Sequence, residues 1–207
     1  MYDQKEGNVF VQVIEGRVKD KDAFRAQIDK WLEELGPGAT GWLGSTAGVA
    51  EDGTYIAVVR FESEEAAQAN SDRPEQGEWW AETSTHLDGD ATFKNCPQVD
   101  VFGGGGSDDA GFVQVIQGRG DRDRIMAGAS KMEEILSRVR PDLIGGLMAW
   151  PGDGTFIQVA YFTSEAEARK GEKAEMSAED AAAVQDDMAA MQMERFIDLR
   201  DPWLRSA

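Results

Sequence analysis

His86 is the only histidine of the chain and the one side chain whose ordinary pKa lies near neutrality, so it is the first candidate for moving a proton. It stands in Ser84-Thr85-His86-Leu87-Asp88, near the end of a helical segment, where an exposed histidine also serves simply to offset the helix dipole. Four of the six tryptophans, Trp31, Trp42, Trp79 and Trp80, lie in the first half, whereas seven of the eight methionines lie in the second. Indoles suit a flat aromatic ligand and soft methionine fills a pocket that has none, which implies one working half and one scaffold half; ordinary core packing explains the same residues. Gln12 and Gln114 occupy matching places on an apolar strand face, where a buried amide must find a partner: a ligand, a neighbouring backbone group or a cross-sheet contact. Arg60 and its counterpart Tyr161 are polar in both halves, which fits a pocket lining or an exposed edge.

Cys96 is the only cysteine, which with the lone histidine removes internal disulfides, thiolate zinc sites and any site needing two imidazoles. Magnesium or calcium on carboxylates stays open, although the acidic residues are scattered and lack the loop spacing of a calcium hand; no metal or other cofactor is assigned.

These residues are carried on a unit written twice. Phe10-Val11-Gln12-Val13-Ile14-Glu15-Gly16-Arg17 returns as Phe112-Val113-Gln114-Val115-Ile116-Gln117-Gly118-Arg119, and Asp52-Gly53-Thr54-Tyr55-Ile56 as Asp153-Gly154-Thr155-Phe156-Ile157. A repeat of roughly 100 residues has the length of an independent domain, so each copy can build its own core. Residues 1–8 are polar and expected to be loose. Val9 to Ile14 alternate as a strand; Phe24, Ile28, Trp31 and Leu35 form a helical stripe that Gly36-Pro37-Gly38 stops. Trp42 to Val49 and Tyr55 to Phe61 read as a hairpin about Asp52-Gly53. A second helical segment starts after Ser63, is interrupted at Ser71-Asp72-Arg73-Pro74 and runs on through Trp79 and Trp80 to about Leu87. In the second copy Ser164 and Glu167 fit a capping box. Ala91 to Phe102 supply one last strand, bent at Cys96-Pro97. Gly103 to Gly106 read as a linker. The expected division is 1–103 for the first unit, 104–109 for the linker and 110–207 for the second unit.

Each copy is thus strand, helix, strand, strand, helix, strand, a ferredoxin-like α+β unit. Helices cover one face of such a sheet, and the apolar other face calls for the sheet of the sister copy, giving two sheets packed face to face.

The net charge of -18 divides into -11 over residues 1–106 (9 basic minus 20 acidic) and -7 over the remainder (12 minus 19). Both halves repel phosphate backbones and anionic lipid, so neither nucleic acid nor membrane is an expected partner. With no long apolar run and no basic-then-apolar leader, the chain reads as a soluble, cytoplasmic protein.

The element order, the doubling and the entry to the second helix (Phe61, Ser63, Glu65, Ala66; Phe162, Ser164, Glu165, Ala166) resemble the dimeric α+β barrel superfamily, within it the antibiotic biosynthesis monooxygenase-like domains. The chain is also similar to uncharacterised two-copy actinobacterial proteins of that superfamily. The resemblance implies a pocket between sheet and helices, and members that oxygenate aromatic substrates without metal or flavin. The haem-degrading branch places an asparagine on the first strand and a tryptophan and a histidine about ten residues apart on the second helical segment; Gln12 and the spacing of His86 do not meet that pattern. The expected enzyme oxygenates a small aromatic or polyketide-like molecule in the first copy. Trp42, Trp79 and Trp80 stack on it, Gln12 and Arg60 orient it, and His86 is the base, with Gln114 as the matching second-copy residue. Two alternatives use the same chain without chemistry: a small-molecule-binding or stress-associated protein, and an acidic scaffold. Since the dimer usual for this fold is internal, a monomer with an internal pseudo-dimer is expected.

Overall fold

In a computed structural model of the chain, residues 9–207 are described. The expectation for residues 1–8 lies outside them. The described residues form two compact units, one of residues 9–98 with Trp203–Ala207 and one of Val99–Pro202.

The first unit opens with β1 (Phe10–Arg17), whose Phe10, Gln12 and Ile14 share one face. Helix α1 (Lys21–Glu34) follows because Asp20 caps it: its Oδ1 accepts the N–H groups of Asp22 and Ala23, both at 3.1 Å. The expected stripe is the buried one, with Phe24, Trp31 and Leu35 turned to the core and a 3₁₀ turn at Gly36–Gly38 ending the helix. β2 (Trp42–Val49) and β3 (Thr54–Phe61) form the expected hairpin, and Gly53 supplies the positive φ of 85° that its turn needs. The second helical segment is broken where Pro74 can start a helix but not continue one, giving α2 (Glu64–Ser71) and α3 (Pro74–Thr83), then a 3₁₀ turn at Ser84–His86. Arg73 clamps this break: its Nη1 donates to the Leu35 carbonyl and to Asn70 Oδ1, each at 3.1 Å.

The expected last strand is in fact two, β4 (Thr92–Cys96) and β5 (Gln98–Gly103), and they belong to different sheets. Pro97 has no N–H to continue the β4 ladder, and the chain passes on to the other unit. The second unit repeats the plan with β6 (Phe112–Gly120), α4 (Arg122–Val139), β7 (Leu143–Trp150), β8 (Thr155–Phe162), α5 (Glu165–Gly171), α6 (Ala178–Ala189) and β9 (Met191–Leu199). The strand that follows, β10 (Trp203–Ser206), lies in the sheet of the first unit.

Both sheets are antiparallel and five-stranded, in the orders β10-β2-β3-β1-β4 and β5-β7-β8-β6-β9. Each is thus a ferredoxin-like sheet of four strands enlarged by a fifth, and the fifth comes from the stretch that follows the other copy's last strand. The boundary accordingly falls after Gln98 rather than after 103, and the C-terminal strand returns to the first unit. Nor do the glycines stand apart as a linker: Gly103 ends β5, the Gly104 N–H donates to the Ile144 carbonyl (3.2 Å), and a Cβ on Gly145 would meet Gly104 N at 2.6 Å. The glycines there allow two backbones to touch. At the second helical entry Ser164 Oγ accepts the Glu167 N–H (3.2 Å), while the Glu167 carboxylate turns to Lys170 (3.3 Å), so half of the expected capping box forms.

Candidate functional site

Strand register decides which side chains meet. Gln12 lies opposite Val59 and Ile14 opposite Ala57, while Ser45 and Ala47 of β2 reach the same two partners from the other side. Paired residues of an antiparallel sheet share a face, so these side chains form one floor. Across that floor run α1, α2 and α3, and between them and the sheet is a cavity of about 370 Å³. That volume is within the range of small-molecule pockets, roughly 300–1,000 Å³.

The wall is aromatic. Trp31 packs edge-on against Trp42 with ring centroids 5.3 Å apart, Trp79 lies 6.2 Å from Trp31, Trp80 5.9 Å from Trp79, and Phe93 of β4 meets Trp80 edge-on at 5.2 Å. All five rings line the cavity, and Phe93 is half exposed, which places it at the mouth. Two of the indoles are fixed by hydrogen bonds, Trp31 Nε1 to Gln76 Oε1 at 2.6 Å and Trp79 Nε1 to the Gln27 carbonyl at 2.8 Å. Trp42 Nε1 is buried with no partner among the described residues.

The polar part of the lining is uncharged. No carboxylate, ammonium, guanidinium or imidazole lines the cavity, in a chain of net charge -18. Two amides there have a set polarity. Trp31 N–H and the Arg73 guanidinium can only donate, so Gln76 and Asn70 give them their oxygens and keep their NH₂ groups as donors. Asn70 is 7% exposed and lines the cavity. Gln12 spends its amide N–H on Asn95 Oδ1 across β4 (3.0 Å), and Gln114 does the same with Asp198 Oδ1 (2.8 Å). The repeated glutamine therefore finds its partner on the edge strand in both units, and in the first its Oε1 is left as an acceptor.

Tyr55 is the one ionisable group in the lining. It is 4% exposed, and burial pushes its phenol well above the ordinary value of about 10. It is therefore an O–H donor throughout the physiological range. The folded state holds this proton more tightly than the unfolded state does. The stability it confers is complete below about pH 10 and falls as pH rises above that, where the unfolded chain ionises and the folded one does not. Tyr55→Phe should remove this contribution, giving a flatter loss of stability above about pH 10 in alkaline unfolding followed by circular dichroism. An unchanged alkaline limb would show that Tyr55 is not the group responsible.

Of the residues singled out in the sequence, Gln12, Trp31, Trp42, Trp79 and Trp80 come together in this lining. Arg60 does not: it pairs with Val11 and Gly44, one residue out of step with Val59, so it lies on the opposite face and donates to Thr46 Oγ1 at 3.2 Å. His86 is also outside the lining, in the 3₁₀ turn after α3, where its carbonyl takes the Lys19 N–H at 2.9 Å. Gln114 lies in the second unit. Tyr55, Asn70 and Gln76 were not singled out. Alternation along β3 was a usable signal for Tyr55, which is on the same face as Ala57, Val59 and Phe61, whereas the two amides are placed by a helix break whose geometry only the fold defines. Among the described residues no group of three or more His, Cys, Asp and Glu side chains is arranged to hold a metal, and no helix is long and apolar enough to cross a membrane.

Two tandem ferredoxin-like α+β units define the fold class, and solved structures share that fold across nearly the whole chain. A protein described as a "putative monooxygenase" from Fusobacterium nucleatum superposes with a TM-score of 0.74 at 9% identity, over 97% of this chain and 95% of its own. Another so described, from Lactobacillus acidophilus, gives 0.72 at 9% identity over 96% of both chains. An anthrone oxidase-like protein gives 0.62 at 8% identity over 93% and 94%. At such identities the likeness is one of fold: the chain has the doubled architecture of these monooxygenase-like structures. No family model matches the chain, and neither does any curated protein.

Proposed function

We propose that the first unit is the working copy and that its cavity takes a small, uncharged, planar aromatic molecule, polyketide-like in its fused rings and carbonyl or hydroxyl groups, which it oxygenates without metal or flavin. The observation that carries this reading is the 370 Å³ cavity itself, walled by four indoles and free of charged side chains. A charged ligand would lose its hydration there without gaining a counter-ion, whereas flat rings gain stacking worth about 0.5–1.5 kcal/mol per well-placed pair. The donors Tyr55 O–H, Asn70 NH₂ and Gln76 NH₂ suit a ligand oxygen that gains negative charge, as in an enolate or phenolate.

The chemistry suited to such a site starts from an activated methylene between aryl groups, of the kind an anthrone presents. Loss of its proton to water gives an electron-rich anion that reacts with dioxygen. Two C–H bonds are replaced by one C=O bond, one oxygen atom of O₂ enters the product and the other leaves as water, so the substrate supplies all four electrons. The residues' part is to hold the rings, stabilise the oxyanion and keep bulk water from the carbanion.

The lack of a base in the lining favours one second reading, a protein that binds the same ligand class without turning it over. Titration with anthrone-type compounds, followed by tryptophan quenching and by oxygen uptake in the same samples, separates the two. Saturable quenching with one O₂ consumed per substrate is expected. Quenching without protein-dependent oxygen uptake leaves only the binding reading, and no quenching by any neutral polycyclic removes both.

A further inference from the structure

The second unit has the same sheet face, and its own chain fills it. Gly146 lies opposite Ala160, as Gln114 does, just as Ser45 and Gln12 both lie opposite Val59 in the first unit. Over Gly146 lies the ring of Phe102 from β5: a Cβ on that glycine would stand 2.3 Å from Phe102 Cζ and 2.9 Å from Cε1. The missing side chain makes room for both the phenyl group and the neighbouring strand, whose Val159 carbonyl oxygen would stand 2.1 Å from that Cβ.

Phe102 packs against both apolar clusters of this unit, one containing Ile116, Met148 and Phe156 and the other Ala160, Phe162 and Leu143. By register and repeat these are the counterparts of Ile14, Ala47, Tyr55, Val59, Phe61 and Trp42, which line the cavity of the first unit. The ring thus occupies in the second unit the volume that is open in the first. Cys96 and Leu199 hold equivalent places, opposite Val11 and Val113, and six residues beyond each (102 - 96 = 205 - 199 = 6) stand Phe102 and Arg205. Arg205 pairs with Ser45 and is exposed; a guanidinium has no counter-charge in that cavity, so the first unit's pocket is left open.

We infer that the second unit contains a latent site for a single neutral aromatic ring, held in the native chain by Phe102 itself, so that each chain offers one open aromatic site and one that is self-occupied. The placement of the ring carries the inference, and only the ligand class is taken from the function proposed above. Apolar cavities of about 150 Å³ lined by aliphatic and aromatic side chains take up benzene-sized molecules.

Fluorobenzene observed by ¹⁹F NMR tests this on the full chain. Phe102→Ala should gain one bound resonance that the wild type lacks, with cross-relaxation to Trp150, the one tryptophan between residues 99 and 202. Phe102→Leu, which refills most of the space, should give the wild-type pattern. A folded Phe102→Ala without a new resonance overturns the assignment, as does a new resonance in Phe102→Leu. If Phe102→Ala is unfolded in buffer, saturating fluorobenzene should restore its native circular dichroism by binding the folded state alone, and failure to do so also overturns it. A wild type with no bound resonance of its own would count against the first cavity as an aromatic site, while the variant still decides the second.

Discussion

Trp203→Ala should cost about 3–5 kcal/mol, the range for removing a large buried aromatic, and the loss should appear in the unit at the other end of the sequence. Trp203 is 8% exposed, lies opposite Ala47 in the first sheet, tilts against Tyr55 at a centroid distance of 6.3 Å and has the Arg25 guanidinium 5.2 Å over its ring. It shares a core cluster with Phe24, Ala57 and Leu87. For a chain of 150–250 residues each kcal/mol moves the melting temperature by roughly 2–4 °C, so a fall of about 10 °C is expected. Near-ultraviolet circular dichroism of the Trp31–Trp42–Trp79 group reads that unit directly. Trp203→Phe should lose much less, because it keeps most of the ring and removes an indole N–H buried without a partner among the described residues. If the alanine variant melts like the wild type, β10 is not part of the first unit's core.

Ala57→Phe should abolish ligand binding while leaving the chain folded. Ala57 is 2% exposed, sits in the middle of the cavity floor between Ile14 and Ala47, and projects from the central strand β3 toward the open volume. A phenyl group added there enters space meant for a ligand. Affinity for a neutral polycyclic should fall by about 100-fold or more, equivalent to about 2.7 kcal/mol or above, while overpacking costs no more than about 1–3 kcal/mol. Tryptophan quenching and a melting curve on the same sample check both halves. Undiminished affinity in a folded variant would place the ligand elsewhere.

The repeat made the elements legible, since two copies of one pattern vote on each boundary: the Phe24-Trp31-Leu35 stripe and the Asp52-Gly53 hairpin form where alternation and helical spacing put them. The transfer at Pro97 was not legible. A proline between two apolar runs signals an interruption, but whether the second run bends back to its own sheet or joins another depends on pairing partners far away in sequence. β10 is four residues long, too short for its periodicity to say anything. In the site, alternation groups Gln12 with Phe10 and Ile14 on one strand face without saying which face the helices cover, and, applied along β3, it separates Arg60 from Val59 and Phe61. The raised phenol of Tyr55 has no sequence signal, since it comes from burial alone.

The reciprocal exchange of β5 and β10 also sets the order in which the protein can be finished on the ribosome. Domains ordinarily fold as they emerge, the N-terminal one first. Here the borrowed strand of the second sheet, β5, is made before any of that sheet's own strands, whereas the first must wait for β10, the last of the ten strands among the described residues. Until then the nascent chain displays the open edge of β2, a ready template for pairing with a neighbour. The copy that is translated first is therefore the copy that is completed last.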